Sequence, residues 1–181
     1  VLDGCSYTGA FTLHALRSGA AWVDLIDSSA TALKQSLAHV HINQDANIIP
    51  KDSRDRVNII KADIFRQMRV IEKNKYDVII LDPPKFGRGP KAETWRIEQG
   101  LPDLVSDCRE LLDPDSKFLF LTVYAVRMSS LSLAGLLAEM FADLPGVIEH
   151  GDLAVREESA GGEDNGRLLP TAIFARWSNP S

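Results

Sequence analysis

Apolar runs of strand length alternate along this chain with stretches of helical spacing, and the runs repeatedly end at an acid. "AWVDLID" (Ala21 to Asp27), "VNIIKAD" (Val57 to Asp63) and "YDVIILD" (Tyr76 to Asp82) all share this form. The third has the continuous apolar character of a strand buried on both faces. It is then barred from continuing by Pro83 and Pro84, since proline has no N–H to give a ladder. Strands alternating with helices predict an α/β fold: a mostly parallel sheet covered by helices on both faces.

The intervening segments supply the helices. Ser28 or Ser29 caps a helix carrying Ala30, Leu33, Leu37 and Val40 on one face, at helical spacing. A short helix holds Phe65, Met68 and Ile71, and a longer one spans Ile97 to Leu112 with Pro102 early in it or splitting it. "KFLFLTV" (Lys117 to Val123) is the next strand. Leu133, Leu136, Leu137, Met140 and Phe141 mark a further helix, ended by Pro145-Gly146. The tail differs, because "VIEHGDLAV" and "TAIFARW" are strands with no helix between them and should pair antiparallel.

At 181 residues the chain reads as one domain, 1–181. It opens on "VLDGCSYTGAF", already the end of a strand, so a region before Val1 is expected. A formal charge of -5 excludes the domain as a whole from binding nucleic acid by bulk charge, leaving room for a local basic patch. Cys5 and Cys108 have neither disulfide nor metal spacing. No metal site is expected, and a reducing, cytoplasmic setting is. No apolar run has the length to span a bilayer. The oligomeric state is not legible.

In open α/β sheets, ligands bind beyond the carboxyl ends of the strands. Four features gather there. "DGCSYTGAFT" gives a glycine turn into a helix, with Gly4 and Gly9 allowing close backbone approach. Asp27, eighteen positions after Gly9, can accept from ribose hydroxyls. Asp63 can receive the exocyclic amine of an adenine, with Ile64 and Phe65 packing on the base. Asp82 ends the fourth strand. Each acid alone reads equally well as a helix cap or strand terminator, but three on successive strand ends point to a nucleoside crevice. A pyrophosphate beside three carboxylates would be repelled, and no G-x-x-x-x-G-K-[ST] motif is present. A nucleoside with a positive centre suits that field, and S-adenosylmethionine (S-adenosyl-L-methionine) is such a molecule.

"YTGAFT" (Tyr7 to Thr12), "VDLIDSS" (Val23 to Ser29), "KADIF" (Lys61 to Phe65) and "LDPPKFGRGPK" (Leu81 to Lys91) resemble the class I S-adenosylmethionine-dependent methyltransferases. The resemblance is narrower still to the bacterial 23S ribosomal RNA large-subunit methyltransferases, and it extends over nearly the whole chain. It implies a Rossmann-like, seven-stranded sheet whose last strand is antiparallel. It also implies that the turn from Asp3 through Tyr7 and Thr8 to Gly9 lies along the methionine part of the cofactor. Asp27, with Ser28, meets the ribose. Asp63 meets the adenine amine with Ile64 beside it. Asp82, Pro83, Pro84 and Lys85 line the methyl-transfer site. Ribosomal RNA is the implied partner.

Cytosine-C5 enzymes of this branch carry a nucleophilic cysteine after the fifth strand. Here "LTVYAVRMSS" (Leu121 to Ser130) has none, so direct transfer to a base, without a covalent adduct, is the expectation. Asp82 and the Pro83 carbonyl are the candidate acceptors for an amine proton. Lys85, Arg88 and Lys91 read as a phosphate-contacting loop or, nearly as well, as a solvated surface loop, Phe86 sits on a base or in the core, and Tyr124 is within reach of the substrate. The acidic stretch Arg156 to Gly166 is expected to face away from RNA or to be disordered, and His14, His39, His41 and His150 have no evident role. The rival readings are a methyltransferase for a protein or small molecule, a non-catalytic nucleoside-binding module, and a dinucleotide-dependent dehydrogenase. The last is weakened by the missing third glycine of its fingerprint.

Overall fold

The computed structural model describes residues 1–88, 94–158 and 166–179. In chain order its elements are β1 (Leu2–Gly4), α1 (Ala10–Arg17), β2 (Val23–Asp27), α2 (Ala30–Asp45), β3 (Val57–Lys61) and α3 (Ile64–Gln67). There follow β4 (Val78–Leu81), β5 (Phe86–Arg88), β6 (Thr94–Arg96), α4 (Ile97–Arg109), β7 (Phe118–Val123), α5 (Ser130–Met140), β8 (Val147–Arg156) and β9 (Leu168–Ser178). Seven strands form one sheet in the order β3-β2-β1-β4-β7-β9-β8. All neighbours are parallel except that β9 runs antiparallel to both β7 and β8, as expected for the tail.

The topology fixes where a ligand can enter. From β1 the chain steps outward through β2 to β3, then returns to lay β4 on the other side of β1. The strand order reverses between β1 and β4, and that switch point opens a crevice at the carboxyl ends. The register sets Gly4 level with Ile26 on one side and Leu81 on the other. Cys5, Asp27 and Asp82 therefore leave the sheet side by side.

Alternation along β2 divides the core. Leu25 packs with Leu16, Leu33 and Val40 on the α1/α2 face, while Ile26 packs with Leu2, Leu81 and Leu104 on the other. Both are fully buried, each worth roughly 1.5–3 kcal/mol. At the opposite end of the sheet, Asp24 is also fully buried. It is tolerated because Tyr76 Oη (2.5 Å), Asn58 Nδ2 (2.8 Å), Lys75 Nζ (3.0 Å) and Trp22 Nε1 (3.1 Å) all donate to it.

Several expectations are corrected. In α2 the buried stripe runs through Leu33, Ser36, Val40 and Gln44, whereas Ala30 is exposed and Leu37 half-buried. The helix turns this way because the Ser36 hydroxyl donates to the Tyr7 carbonyl at 2.9 Å. The short helix is one turn, Ile64–Gln67, and ends before Ile71. Pro102 sits early in α4, in its second turn, as one of its two readings had it, and does not split the helix. His39 Nδ1 lies 3.0 Å from the Thr8 carbonyl, and His150 Nδ1 lies 3.1 Å from Ser130 Oγ, so these two histidines do have partners. The β5–β6 hairpin was not anticipated. Lys91 and residues 159–165 of the acidic stretch lie outside the described residues, as does the side chain of Arg88. No helix among the described residues is long and apolar enough to cross a membrane.

Candidate functional site

The turn between β1 and α1 is strained in a directed way. Cys5 (φ 59°), Tyr7 (φ 47°) and Gly9 (φ 79°) all take left-handed backbone, which only glycine adopts freely. At Gly9 a side chain would meet both the left-handed backbone and a crowded neighbour, since a Cβ would stand 3.0 Å from that of Ser36. This coiled path aims the Tyr7 N–H at Asp27 Oδ2, 2.9 Å away. The Ser29 N–H donates to the other oxygen, Oδ1, at 2.7 Å. Asp27 is thus held by one backbone donor per oxygen, and each oxygen keeps a lone pair for a ligand.

Asp63 caps a helix and also stands at the cleft wall. Its Oδ1 accepts from the Phe65 N–H of α3 at 3.0 Å. Asp82 Oδ1 accepts from Thr122 Oγ1 at 2.6 Å, which leaves Oδ2 open. Burial pushes the Asp82 carboxyl above the ordinary carboxylate range, against the lowering effect of Thr122.

These acids share one cleft of about 710 Å³. Cys5, Tyr7, Asp27 and Ser28 line one side, and Ala62, Asp63, Ile64 and Phe65 the next. Asp82, Pro84 and Tyr124 complete the far corner. Gly87, Thr94 and Trp95 close over it from the hairpin, with Arg66 and Arg69 also at the lining. Arg69 is engaged by Asp107 at 2.9 Å, and Arg66 Nε stands 3.9 Å from Asp63. Burial, with Asp27, Asp82, Asp3 and Asp63 nearby, pushes the Cys5 thiol far up, which keeps it protonated and a poor nucleophile. Cys108 is fully buried in α4. Among the described residues no three His, Cys, Asp or Glu side chains gather as a metal site.

Not every anticipated residue borders the cleft. Asp3 is buried behind the turn, where Oδ2 accepts from the Thr12 N–H (3.0 Å) and Oγ1 (2.6 Å). Its Oδ1 finds no partner. Burial raises its pKa to about 6, offset in part by Thr12 and reinforced by Asp27 and Asp82. Thr8 and Gly9 likewise support the turn from outside the lining. Pro83 is buried, so Pro84 and not Pro83 faces the cleft. The Pro84 carbonyl is already taken by the Trp95 indole N–H at 2.7 Å. Lys85 turns outward, and its Nζ donates to the Ala125 carbonyl at 2.7 Å. Phe86 is half exposed and does not plug the core. Trp95 and Thr94 were missed. The only sequence signal for Trp95 is a lone aromatic at the mouth of a helix, five residues before Gly100.

The solved structures decide the architecture. A S-adenosylmethionine-dependent methyltransferase from Agrobacterium tumefaciens superposes with a TM-score of 0.80 at 33% identity, over 98% of this chain and 55% of that one. The fold is the class I methyltransferase fold. A second solved methyltransferase, complexed with S-adenosylhomocysteine (SAH), aligns with a TM-score of 0.72 at 22% identity, over 97% of this chain and 44% of its own. By sequence the chain is similar to ribosomal RNA large-subunit methyltransferase I of Aliivibrio fischeri, 32% identical over 145 residues, which is 79% of this chain and 33% of that protein. The protein of the same name from Pseudoalteromonas translucida is 34% identical over 122 residues, 66% of this chain and 28% of that protein. The chain thus spans about a third of the length of these curated relatives. No family profile matches it.

Proposed function

We propose that this class I domain binds S-adenosylmethionine and transfers its methyl group directly to a base of ribosomal RNA. The observation that carries the reading is Asp27: a carboxylate at the end of β2, held by the Tyr7 and Ser29 amides, opening on the same cleft as Asp63 and Asp82. The donor set fits the cofactor. Asp27 has lone pairs left for the two ribose hydroxyls. Asp63 is an acceptor for the adenine amine, with the buried Ile64 as apolar wall. The acidic lining favours a cation over a phosphate chain.

When bound, the cofactor supplies a methyl group on a sulfonium, open to in-line attack. The chain's own part is to position and to exclude water. Asp82 Oδ2, left open by the Thr122 bond to Oδ1, accepts a hydrogen bond from the N–H of the incoming base and so orients its lone pair. Pro83 and Pro84 keep that corner rigid. No residue serves as a covalent nucleophile, in keeping with the protonated Cys5. Similarity to the ribosomal RNA enzymes supports RNA as the acceptor.

Calorimetry tests the cofactor: binding of S-adenosylmethionine with no binding of NAD is the expected result. Labelled-methyl transfer to ribosomal RNA from a strain deleted for the gene, followed by mapping of the modified base, tests the acceptor. Cofactor binding without transfer to any RNA fraction would overturn the RNA assignment.

A further inference from the structure

Trp95 enters the cleft from β6 and is fastened by three separate parts of the fold. Its indole stacks on the Phe65 ring, with centroids 3.9 Å apart and planes 26° from parallel. Its Nε1 donates to the Pro84 carbonyl at 2.7 Å. Its far edge lies on the bare backbone of α4, where a Cβ at Gly100 would fall 2.0 Å from Cζ3. The first contact belongs to the segment that carries Asp63 and Ile64. The second belongs to the corner that carries Asp82. The third is a rigid backing. An indole so placed cannot shift at the Phe65 side without loading its bond to Pro84.

We propose that Trp95 is a cofactor-positioning residue: its indole walls the purine end of the cleft and, through the Pro84 carbonyl, ties that end to the Asp82–Pro84 corner where transfer occurs. The ligand class is a 5′-thio- or 5′-sulfonio-purine nucleoside. The inference rests on the cofactor reading above and adds to it a residue outside every motif that suggested that reading. It also gives the Pro84 carbonyl a structural use, since one of its lone pairs holds the wall in place.

The test uses Trp95→Phe, Trp95→Ala and Gly100→Ala, each checked for folding by circular dichroism. SAH and 5′-methylthioadenosine are titrated by calorimetry and by tryptophan fluorescence, and transfer is measured at saturating S-adenosylmethionine. Trp95→Phe keeps a ring on Phe65 but has no donor for Pro84. It is expected to hold SAH within about threefold of wild type while kcat falls about a hundredfold, the scale of a small misplacement at the reacting corner. Trp95→Ala is expected to weaken both ligands by about tenfold, as loss of an aromatic wall does. Gly100→Ala should do the same from outside the cleft, by displacing the ring. Quenching of fluorescence by SAH should vanish in Trp95→Phe, since Trp22 lies on Asp24 at the opposite end of the sheet and Trp177 is buried, neither of them lining the cleft. A residue that only stabilised the fold would lower affinity and kcat together in proportion to lost stability. Wild-type SAH affinity in Gly100→Ala or Trp95→Ala, or wild-type kcat in Trp95→Phe, overturns the proposal and leaves the cofactor reading standing. Absence of binding by the wild-type protein overturns both.

Discussion

The Lys85 ammonium donates to the Ala125 carbonyl at 2.7 Å, tying the turn after β4 to the turn after β7 across 40 residues. Ala125 has φ 56°, a left-handed conformation that costs a non-glycine residue roughly 1–2 kcal/mol. One net hydrogen bond is worth roughly 0.5–1.5 kcal/mol, so latch and strain are of comparable size. What the latch holds is Tyr124, which lines both the main cleft and a smaller cavity of about 190 Å³ toward β8 and β9. Lys85→Met should lower stability by about 1 kcal/mol in urea unfolding and leave S-adenosylmethionine affinity unchanged, because Lys85 does not border the cleft. Ala125→Gly in the same chain should restore most of the loss. A collapse of cofactor affinity in Lys85→Met would return Lys85 to the methyl-transfer site.

Asp63 caps a helix and, in the proposed reading, also accepts the adenine amine, and substitution can separate the two roles. Its Oδ1 caps α3 through the Phe65 N–H, and an N-cap lost to alanine costs about 1 kcal/mol. Serine caps as well as aspartate but is uncharged and shorter. Asp63→Ala should therefore lose about 1 kcal/mol of stability and Asp63→Ser almost none. Both should weaken S-adenosylmethionine about tenfold, the scale of one hydrogen bond to a charged group. If Asp63→Ser binds the cofactor as tightly as wild type in calorimetry, Asp63 is a cap and nothing more.

The acids at the strand ends were legible because a parallel strand leaves a simple trace: a short apolar run that stops at a polar residue. Asp27, Asp63 and Asp82 follow from that pattern and from the rule that places ligands beyond the carboxyl ends. The antiparallel tail was legible because no helical stretch separates its two strands. The β5–β6 hairpin was not. Its strands are three residues each, too short for a two-residue period to declare itself, and its Gly87-Arg88-Gly89-Pro90 stretch reads as loop. Trp95 was hidden with it, since an indole's partners at Phe65, Pro84 and Gly100 are matters of tertiary packing. Asp3 was misjudged for a related reason. A carboxylate beside the glycine turn has the position of a ligand, but its side chain points to Thr12 in α1, and no local pattern reports which way it turns. Pro83 and Pro84 look equivalent in sequence, and only the sheet decides which ring is buried.

The buried carboxyl of Asp3 makes stability depend on pH in a stated direction. Its pKa rises from 3.8 to about 6 in the folded protein, chiefly by burial. The folded state therefore binds the proton more tightly than the unfolded chain, and stability falls as pH rises from about 4 toward 6. Above that window the whole cost of the buried charge is in place, on the order of 3 kcal/mol for a shift of this size. Asp3→Asn removes the titration while keeping an oxygen for Thr12. In urea unfolding, the variant's stability relative to wild type should increase between pH 4.5 and pH 6.5 and then level off. A wild type that gains on the variant over that interval would contradict the assignment.

Asp82 and Thr122 allow the acceptor role to be tested through a pH profile. Burial raises the Asp82 carboxyl, and the hydrogen bond from Thr122 Oγ1 at 2.6 Å works against that rise. If ionised Asp82 orients the N–H of the incoming base, transfer needs the carboxylate, and the rate must fall on the acid side as Asp82 is protonated. Thr122→Val removes the hydrogen bond that lowers the pKa, so the acid limb of kcat should move to higher pH, with the plateau rate at alkaline pH little changed. Asp82→Asn keeps a hydrogen-bond acceptor but has no carboxylate to titrate. It should lower kcat by about a hundredfold, abolish the acid limb and leave S-adenosylmethionine affinity within a few-fold of wild type. The shift in Thr122→Val discriminates between roles, because a Thr122 that merely braced β7 against β4 would lower the rate at every pH alike. An acid limb that stays where it was in Thr122→Val, or persists in Asp82→Asn, would assign the titration to another group and remove Asp82 from contact with the acceptor.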